Sequence, residues 1–328
     1  MLALAVGALV AAPSVALADK GPTVYGKINA SYENVDDGAN DAWELRSNAS
    51  RIGVKGDLDL DFQNVKAIYQ AEFQVDIDDG DRGGDNNSPF SQRNIFGGFQ
   101  HDQAGTLRAG KFDTPFKVSQ GKIDQFGDLG GDINGIVGGD ERASNIIQYS
   151  TPKLADAVTI NLAFIPGEDS GTDRDGVADS ISSSLVFDNG MLYASVGYDS
   201  EMEAELYDAG EMLVDAFHVA AKLSMNQFEL GALYQVSENS EAIAGGDAED
   251  STYILSGAFK MDRWKFKAQY GMTDLDRSND DLTLMAIGAD YKVASNSKMF
   301  AYYANIEADV DSQDDTQFGI GFEHNFSM

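Results

Sequence analysis

From Thr23 onward apolar and polar residues alternate in segments of about ten, the pattern of extended strands with two unlike faces. Residues 227–238 set Phe228, Leu230, Ala232, Tyr234 and Val236 against Gln227, Glu229, Gly231 and Gln235. Residues 263–273 set Trp264, Phe266, Ala268, Tyr270 and Met272 against Lys265, Lys267, Gln269 and Thr273. In the closing segment Phe318, Ile320, Phe322 and Phe326 share one parity, and Gln317, Gly319, Gly321, Glu323 and Asn325 the other. A tilted strand crosses a bilayer in about 9–11 residues, so each segment is long enough to span one.

The joins between segments alternate in length. Short ones fall near Leu60–Asn64, Asp102–Gly105, Thr151–Asp156, Asp188–Gly190, Ser224–Gln227, Met261–Arg263 and Ala294–Ser297. Long acidic ones fall near Val35–Asp41, Ile77–Ser91, Phe112–Ala143, Pro166–Ala178, Ser200–Met212, Glu238–Asp250, Thr273–Asp280 and Glu307–Asp315. Seven short and eight long joins imply sixteen strands, with both ends on the short-turn side. The expected fold is therefore all-β, a transmembrane antiparallel β-barrel. A soluble sandwich also alternates, but it has no reason to alternate its join lengths, and its strands run shorter. Aromatic residues near strand ends (Tyr25, Tyr32, Phe187, Tyr193, Tyr198, Trp264, Tyr291, Tyr302 and Phe326) suit interfacial girdles. Closure matters because hydrocarbon leaves no partner for an open strand edge.

Leu2–Ala18 is an apolar run ending in Ala16-Leu17-Ala18, the pattern of an export signal over residues 1–18 that leaves residues 19–328 as one barrel domain. The positively charged segment that should precede the run is missing, as expected if the start codon has been placed late. Past Ala18 no stretch approaches the roughly 20 apolar residues of a membrane helix. With no cysteine, disulfides and thiolate metal sites are excluded. The 34 glycines, 18 phenylalanines and 13 tyrosines beside only 6 prolines fit β-structure rich in turns. A net charge of −31 repels nucleic acid, and the regular alternation argues against the disorder that such charge otherwise suggests.

Several stretches resemble the Gram-negative general porins, the trimeric sixteen-stranded group. They are Thr23-Val24-Tyr25-Gly26-Lys27, Ser50-Arg51-Ile52-Gly53-Val54-Lys55-Gly56, Arg93-Asn94-Ile95-Phe96-Gly97-Gly98-Phe99, Gly105-Thr106-Leu107-Arg108-Ala109-Gly110-Lys111 and the alternating aromatic strand that closes the chain. The resemblance covers the whole mature chain. It implies a water-filled channel in the outer membrane of a Gram-negative bacterium that passes ions and small hydrophilic solutes. It also implies a homotrimer in contact through the outer faces of its first and last strands, set among outer-membrane lipid and lipopolysaccharide. The barrel-assembly machinery would read the last strand, although Phe326 here is followed by Ser327 and Met328 where the family usually ends on phenylalanine.

The resemblance further makes Phe112–Ala143 a constriction loop folded into the lumen, carrying Asp124, Asp128, Asp132, Asp140 and Glu141. Family geometry sets a basic wall against it, with Lys27, Arg46, Arg51, Arg93, Arg108 and Lys111 as candidates and Arg142 at the loop's exit. Carboxylates facing arginines would create a transverse field that polar permeants tolerate and apolar ones do not. An alternative role for each arginine is to pair with a neighbouring carboxylate and pin the loop.

An enzyme is not expected, since His101, His218 and His324 lie in no recognisable nucleophile context. No cofactor is expected either, with calcium as a speculative exception. Asp173, Asp175 and Asp179 space three carboxylates around Gly176, and Asp76, Asp78, Asp79, Asp81 and Asp85 form a second acidic cluster. The competing reading of both is a solvated acidic loop. Functional alternatives to a general channel are a substrate-specific one, for sugars, organic acids or phosphate, and more distantly a secreted calcium-binding or adhesion protein.

Overall fold

The computed structural model describes residues 21–62, 64–78, 88–139, 141–168, 174–207, 209–243, 246–308 and 314–328. Of the earlier readings, the export signal, Asp140, Asp173 and residues 79–87 of the second acidic cluster lie outside these.

Seventeen strand segments form one sheet: β1 Thr23–Asp36, β2 Asp41–Ser47, β3 Arg51–Asp59, β4 Val65–Val75, β5 Phe90–His101, β6 Gly105–Asp113, β7 Arg142–Ser150, β8 Val158–Ile165, β9 Ser180–Asp188, β10 Leu192–Leu206, β11 Gly210–Met225, β12 Phe228–Asn239, β13 Glu249–Met261, β14 Trp264–Leu275, β15 Asp280–Ala294, β16 Ser297–Ala308 and β17 Asp315–Ser327. β2 and β3 are two halves of one barrel strand. Both pair with β1, β2 through Asp36↔Asp41 to Ala30↔Ser47 and β3 through Lys27↔Arg51 to Thr23↔Lys55. The structure is thus a closed sixteen-stranded antiparallel barrel. β17 returns to pair with β1 from Tyr25↔Ser327 to Asp36↔Thr316, leaving no open edge.

The break between β2 and β3 falls at Asn48–Ser50. There the Ser50 hydroxyl bonds both the N–H and C=O of Asn29, and Ala49 takes φ 48°. An interruption of this kind bends a strand and redirects the side chains that follow. Arg51 is the next residue.

The alternation seen in the sequence has the expected sense. Tyr253, Leu255, Phe266, Tyr270, Ile320 and Phe322 are exposed on the outer face, while lumen-parity residues such as Thr252, Gln269 and Gln317 are buried. Three of the nine girdle aromatics face inward instead. Tyr25 Oη donates to Glu72 at 2.9 Å, Tyr302 Oη to Glu33 at 2.6 Å, and Tyr193 Oη to the Ser119 carbonyl at 2.9 Å. Each serves the wall or the loop rather than the lipid interface.

The join expected at Ser200–Met212 is mostly strand. A bulge between Asp199 and Met202 switches the parity of β10, so that Met202, Ala204 and Leu206 turn inward; Ala204 and Leu206 pack with Phe116, Val214 and Ala216, leaving only 207–209 between the strands. The acidic residues Glu201, Glu203 and Glu205 that read as a loop alternate with those apolar ones. Acidity marks the rim above the membrane, and a strand that overshoots the bilayer carries it too.

Candidate functional site

The connection between β6 and β7 turns into the lumen and lies along the inner wall. A short helix α1, Pro115–Ser119, opens it, capped by Thr114, whose side chain accepts from the Lys117 N–H. The root of the loop is closed by the Thr114 N–H to the Glu141 carbonyl at 3.2 Å and by an Arg142–Asp113 ion pair at 2.8 Å, with Asn94 donating to Asp113. Arg142 therefore fastens the loop.

Apolar contacts dock the rest of the loop. Ile123, Ile133, Ile136 and Val137 pack on lumen-facing Leu233, Ile254, Leu275, Leu282 and Leu284, and Phe126 with Leu129 packs on Ala286, Phe300 and Tyr302. Polar bonds join in: the Gln125 N–H to Gln269 Oε1 at 2.9 Å, Gln269 Nε2 to the Gly131 carbonyl at 3.0 Å, and Thr273 Oγ1 to the Ile136 carbonyl at 2.6 Å. Where the loop crosses β17, Gly130 lies against the end of the Gln317 side chain, which a larger residue there would have to displace. Ser119 Oγ lies 2.9 Å from His218 Nε2, and both side chains are sealed under Phe116. That contact pins the loop to β11.

The acidic loop residues divide. Asp128 ion-pairs with Lys27 and lies 3.7 Å from Arg51, which brings loop tip and wall together. Asp132 turns inward, accepting from the N–H groups of Asp128 and Asn134 at 2.7 and 2.9 Å. Asp124 accepts from the Phe126 N–H at 2.8 Å. Burial first, and the neighbouring Asp132 second, raise the Asp124 carboxyl above the usual carboxylate range. A carboxyl that holds its proton more firmly in the docked loop than in the released one stabilises docking below the ordinary value, and that contribution fades as pH climbs through the raised one. Tryptic cleavage after the exposed Lys122, measured against cleavage of the denatured chain, should therefore quicken at alkaline pH. Asp124→Asn keeps an acceptor for the Phe126 N–H and should flatten the profile; a flat wild-type profile would dismiss the idea.

On the wall, Arg93 pairs with Glu72 at 3.1 Å and donates to Gln74, and Arg46 pairs with Glu33 at 3.1 Å and Glu44 at 3.5 Å. The wall is thus interleaved with carboxylates, which the sequence reading did not assign to it. Arg108 stands differently. It lies against the edge-packed rings of Phe112 and Phe96, 4.1 and 5.1 Å from their centroids, and donates to Gln148 at 3.0 Å. Lys111 does not join the wall: it is paired with Ile95 on the parity of Leu107 and Ala109, the outward face. The bulge between Gly110 and Phe112 lies beside it.

For calcium, Asp179 is turned to the Gly176 N–H at 2.9 Å, Asp175 is exposed, and Asp78 accepts from the Ser47 N–H at 2.8 Å. Among the described residues no three acidic or histidine side chains gather as a metal site.

A family model described as Gram-negative porin matches residues 3–311. Outer membrane porin protein 32 of Delftia acidovorans is 27% identical over 337 residues, spanning 95% of this chain and 90% of its own length. Among solved structures, an anion-selective porin from Comamonas acidovorans superposes with a TM-score of 0.77 at 19% identity, covering 93% of this chain and 99% of that one. The outer membrane channel DcaP of Acinetobacter baumannii does so at 0.71 and 13%, covering 94% and 99%.

Proposed function

The chain belongs to the Gram-negative porin family and forms a channel in the outer membrane, and from that premise we propose that it is a general diffusion porin with a preference for small anions. The observation that carries this reading is the charge balance where loop meets wall. One carboxylate, Asp128, is shared by two cations, Lys27 and Arg51, while both Asp132 oxygens are turned to backbone N–H groups of the loop and burial raises the Asp124 carboxyl above the usual carboxylate range. Arg108 adds a guanidinium whose contacts are aromatic rings and an amide. The net −31 of the chain belongs largely to the long connections, and screening over about 8–10 Å lets the lumen's own groups outweigh it. The anion-selective character of the Comamonas porin points the same way.

The test is the zero-current potential across a planar bilayer under a potassium chloride gradient. Its sign should be that of chloride permeation. A potential of the potassium sign at moderate salt would overturn the preference and leave only the channel.

Assembly as a homotrimer is part of the same proposal. The outer face of β1, β2, β16 and β17 forms an apolar hollow of about 600 Å³ lined by Tyr32, Leu45, Met299, Ile320 and Phe322, a surface suited to a second copy.

A further inference from the structure

The short-turn end of β13–β17 holds an arrangement that diffusion past the loop does not require. Lys260 lies directly opposite Lys265 in the β13–β14 ladder, and Lys292 directly opposite Lys298 in the β15–β16 ladder. Like charges set face to face across a ladder destabilise it. The chain has few cations to place this way, 23 against 54 acids. Both pairs line a single recess of about 410 Å³, together with Arg263 from the turn between β13 and β14.

The carboxylates nearby are already committed. Glu229 takes Lys260 at 2.6 Å, Lys265 at 3.2 Å and Lys222 at 3.8 Å. Asp290 takes Lys267 at 3.1 Å and Lys298 at 3.2 Å, and Lys298 also reaches Glu323 at 3.7 Å. Arg263 and Lys292 form no ion pair among the described residues. With Asp262 on the turn, seven cations meet four carboxylates in and around the recess, a local surplus opposite in sign to the whole chain.

We propose that this recess binds a small multivalent oxyanion, a phosphate or a di- or tricarboxylate, between the Lys260–Lys265 pair and the Lys292–Lys298 pair. Ammonium groups are rotatable point-charge donors, and an anion with at least two charges can relieve both opposed pairs at once where chloride or acetate relieves one. The volume lies within the range of small-molecule sites. The recess lies at the turn end of the lumen and adjoins the Lys27–Arg51–Asp128 contact, since its Asn325 stands opposite Lys27 in the β1–β17 ladder, so it acts as a station where anions that have passed the loop, or approach from the other side, are held.

Trp264 borders the recess at the rim, its ring packed outward on Phe266 and Tyr291, and it is one of only two tryptophans, so Trp43→Phe leaves it as the sole indole reporter. The full-length barrel in detergent is titrated with citrate and separately with inorganic phosphate, with sodium acetate and sodium chloride at matched ionic strength as comparators. Saturable change in Trp264 emission is expected with one or both multivalent anions, and which of them acts assigns the class. Lys265→Gln with Lys292→Gln should weaken it by about tenfold or more, the loss of charge-assisted hydrogen bonds. This variant leaves Glu229 with two lysines and Asp290 with two, and it relieves both opposed pairs, so its own melting temperature should hold or rise. Should it not fold, Lys292→Gln alone gives the same readout. A response equal to that of acetate, or one unchanged by these substitutions, overturns the site. The titration is independent of the zero-current potential, so either result can fail alone.

Discussion

Replacing Phe126 and Ile136 together by alanine should give a channel of larger conductance and greater noise while leaving the melting temperature of the barrel nearly unchanged. Both side chains are fully buried. Phe126 fills the space between Ala286 and the Phe300 and Tyr302 rings with the Lys267 ammonium 4.4 Å from its centroid, and Ile136 sits among Ile254, Leu275 and Leu282. Large-to-small changes in such sites cost about 2–5 kcal/mol each. What remains to hold the loop's middle is Ile133, Val137 and Leu129, the Asp128–Lys27 pair, and hydrogen bonds to Gln269, Thr273, Ser256 and Lys267 worth about 1 kcal/mol apiece. The two truncations together therefore rival the hydrogen bonds of that stretch and leave it loosely held. The barrel does not share the loss, because every wall strand keeps both neighbours. Single-channel recording reads the conductance and its noise, and trypsin reads the exposure of the segment around Lys122. Wild-type conductance together with wild-type resistance to trypsin would mean that the apolar clusters do not set the loop's position.

How much of this was legible in the sequence depends on which face a residue serves. The outward face was readable along the middle of the strands, since lipid demands apolar side chains at every second position and Phe318, Ile320 and Phe322 stand where parity puts them, but not at every expected girdle position, since Tyr25, Tyr193 and Tyr302 turn inward. The joins were readable for the same reason, except where Met202, Ala204 and Leu206 carried β10 past the membrane into acidic territory. The lumen face was only half readable. Leu233, Ile254, Leu282 and Leu284 occupy parities expected to be polar, and they are apolar because the loop, not water, covers them. The signal was present in the loop itself, whose Phe116, Ile123, Phe126, Ile133 and Ile136 are too apolar for a segment surrounded by water. Charge signs were readable but partners were not. Arg93 and Arg46 look alike as free lumen cations until Glu72 and Glu33 are seen across the ladder, and Lys111 looks like a wall residue until its pairing with Ile95 turns it outward.

The charge of the loop tip can be changed in either direction from the two sides of one contact. Asp128→Asn should strengthen anion preference, and Lys27→Met with Arg51→Gln should carry the zero-current potential toward the cation sign. Asp128 takes φ 67°, a left-handed backbone that asparagine tolerates, so the substitution changes charge and leaves the turn. Lys27 is only 6% exposed, and loss of its carboxylate leaves an ammonium with little water to replace it. Breaking a fully buried pair costs about 3–5 kcal/mol, and here, with Asp128 partly exposed, a fraction of that falls on the tip, which loosens as well as recharges. The double cation variant does the opposite, leaving Asp128 as the charge that permeating ions meet there. Separating charge from displacement requires Asp128→Asn in the Lys27→Met background, where no buried ammonium is stranded. If selectivity there follows net charge while conductance returns to the wild-type level, the field selects the ions and the ion pair only positions the tip. If selectivity instead follows conductance across all the variants, steric opening rather than charge governs passage, and the assignment of Lys27, Arg51 and Asp128 as the filter fails.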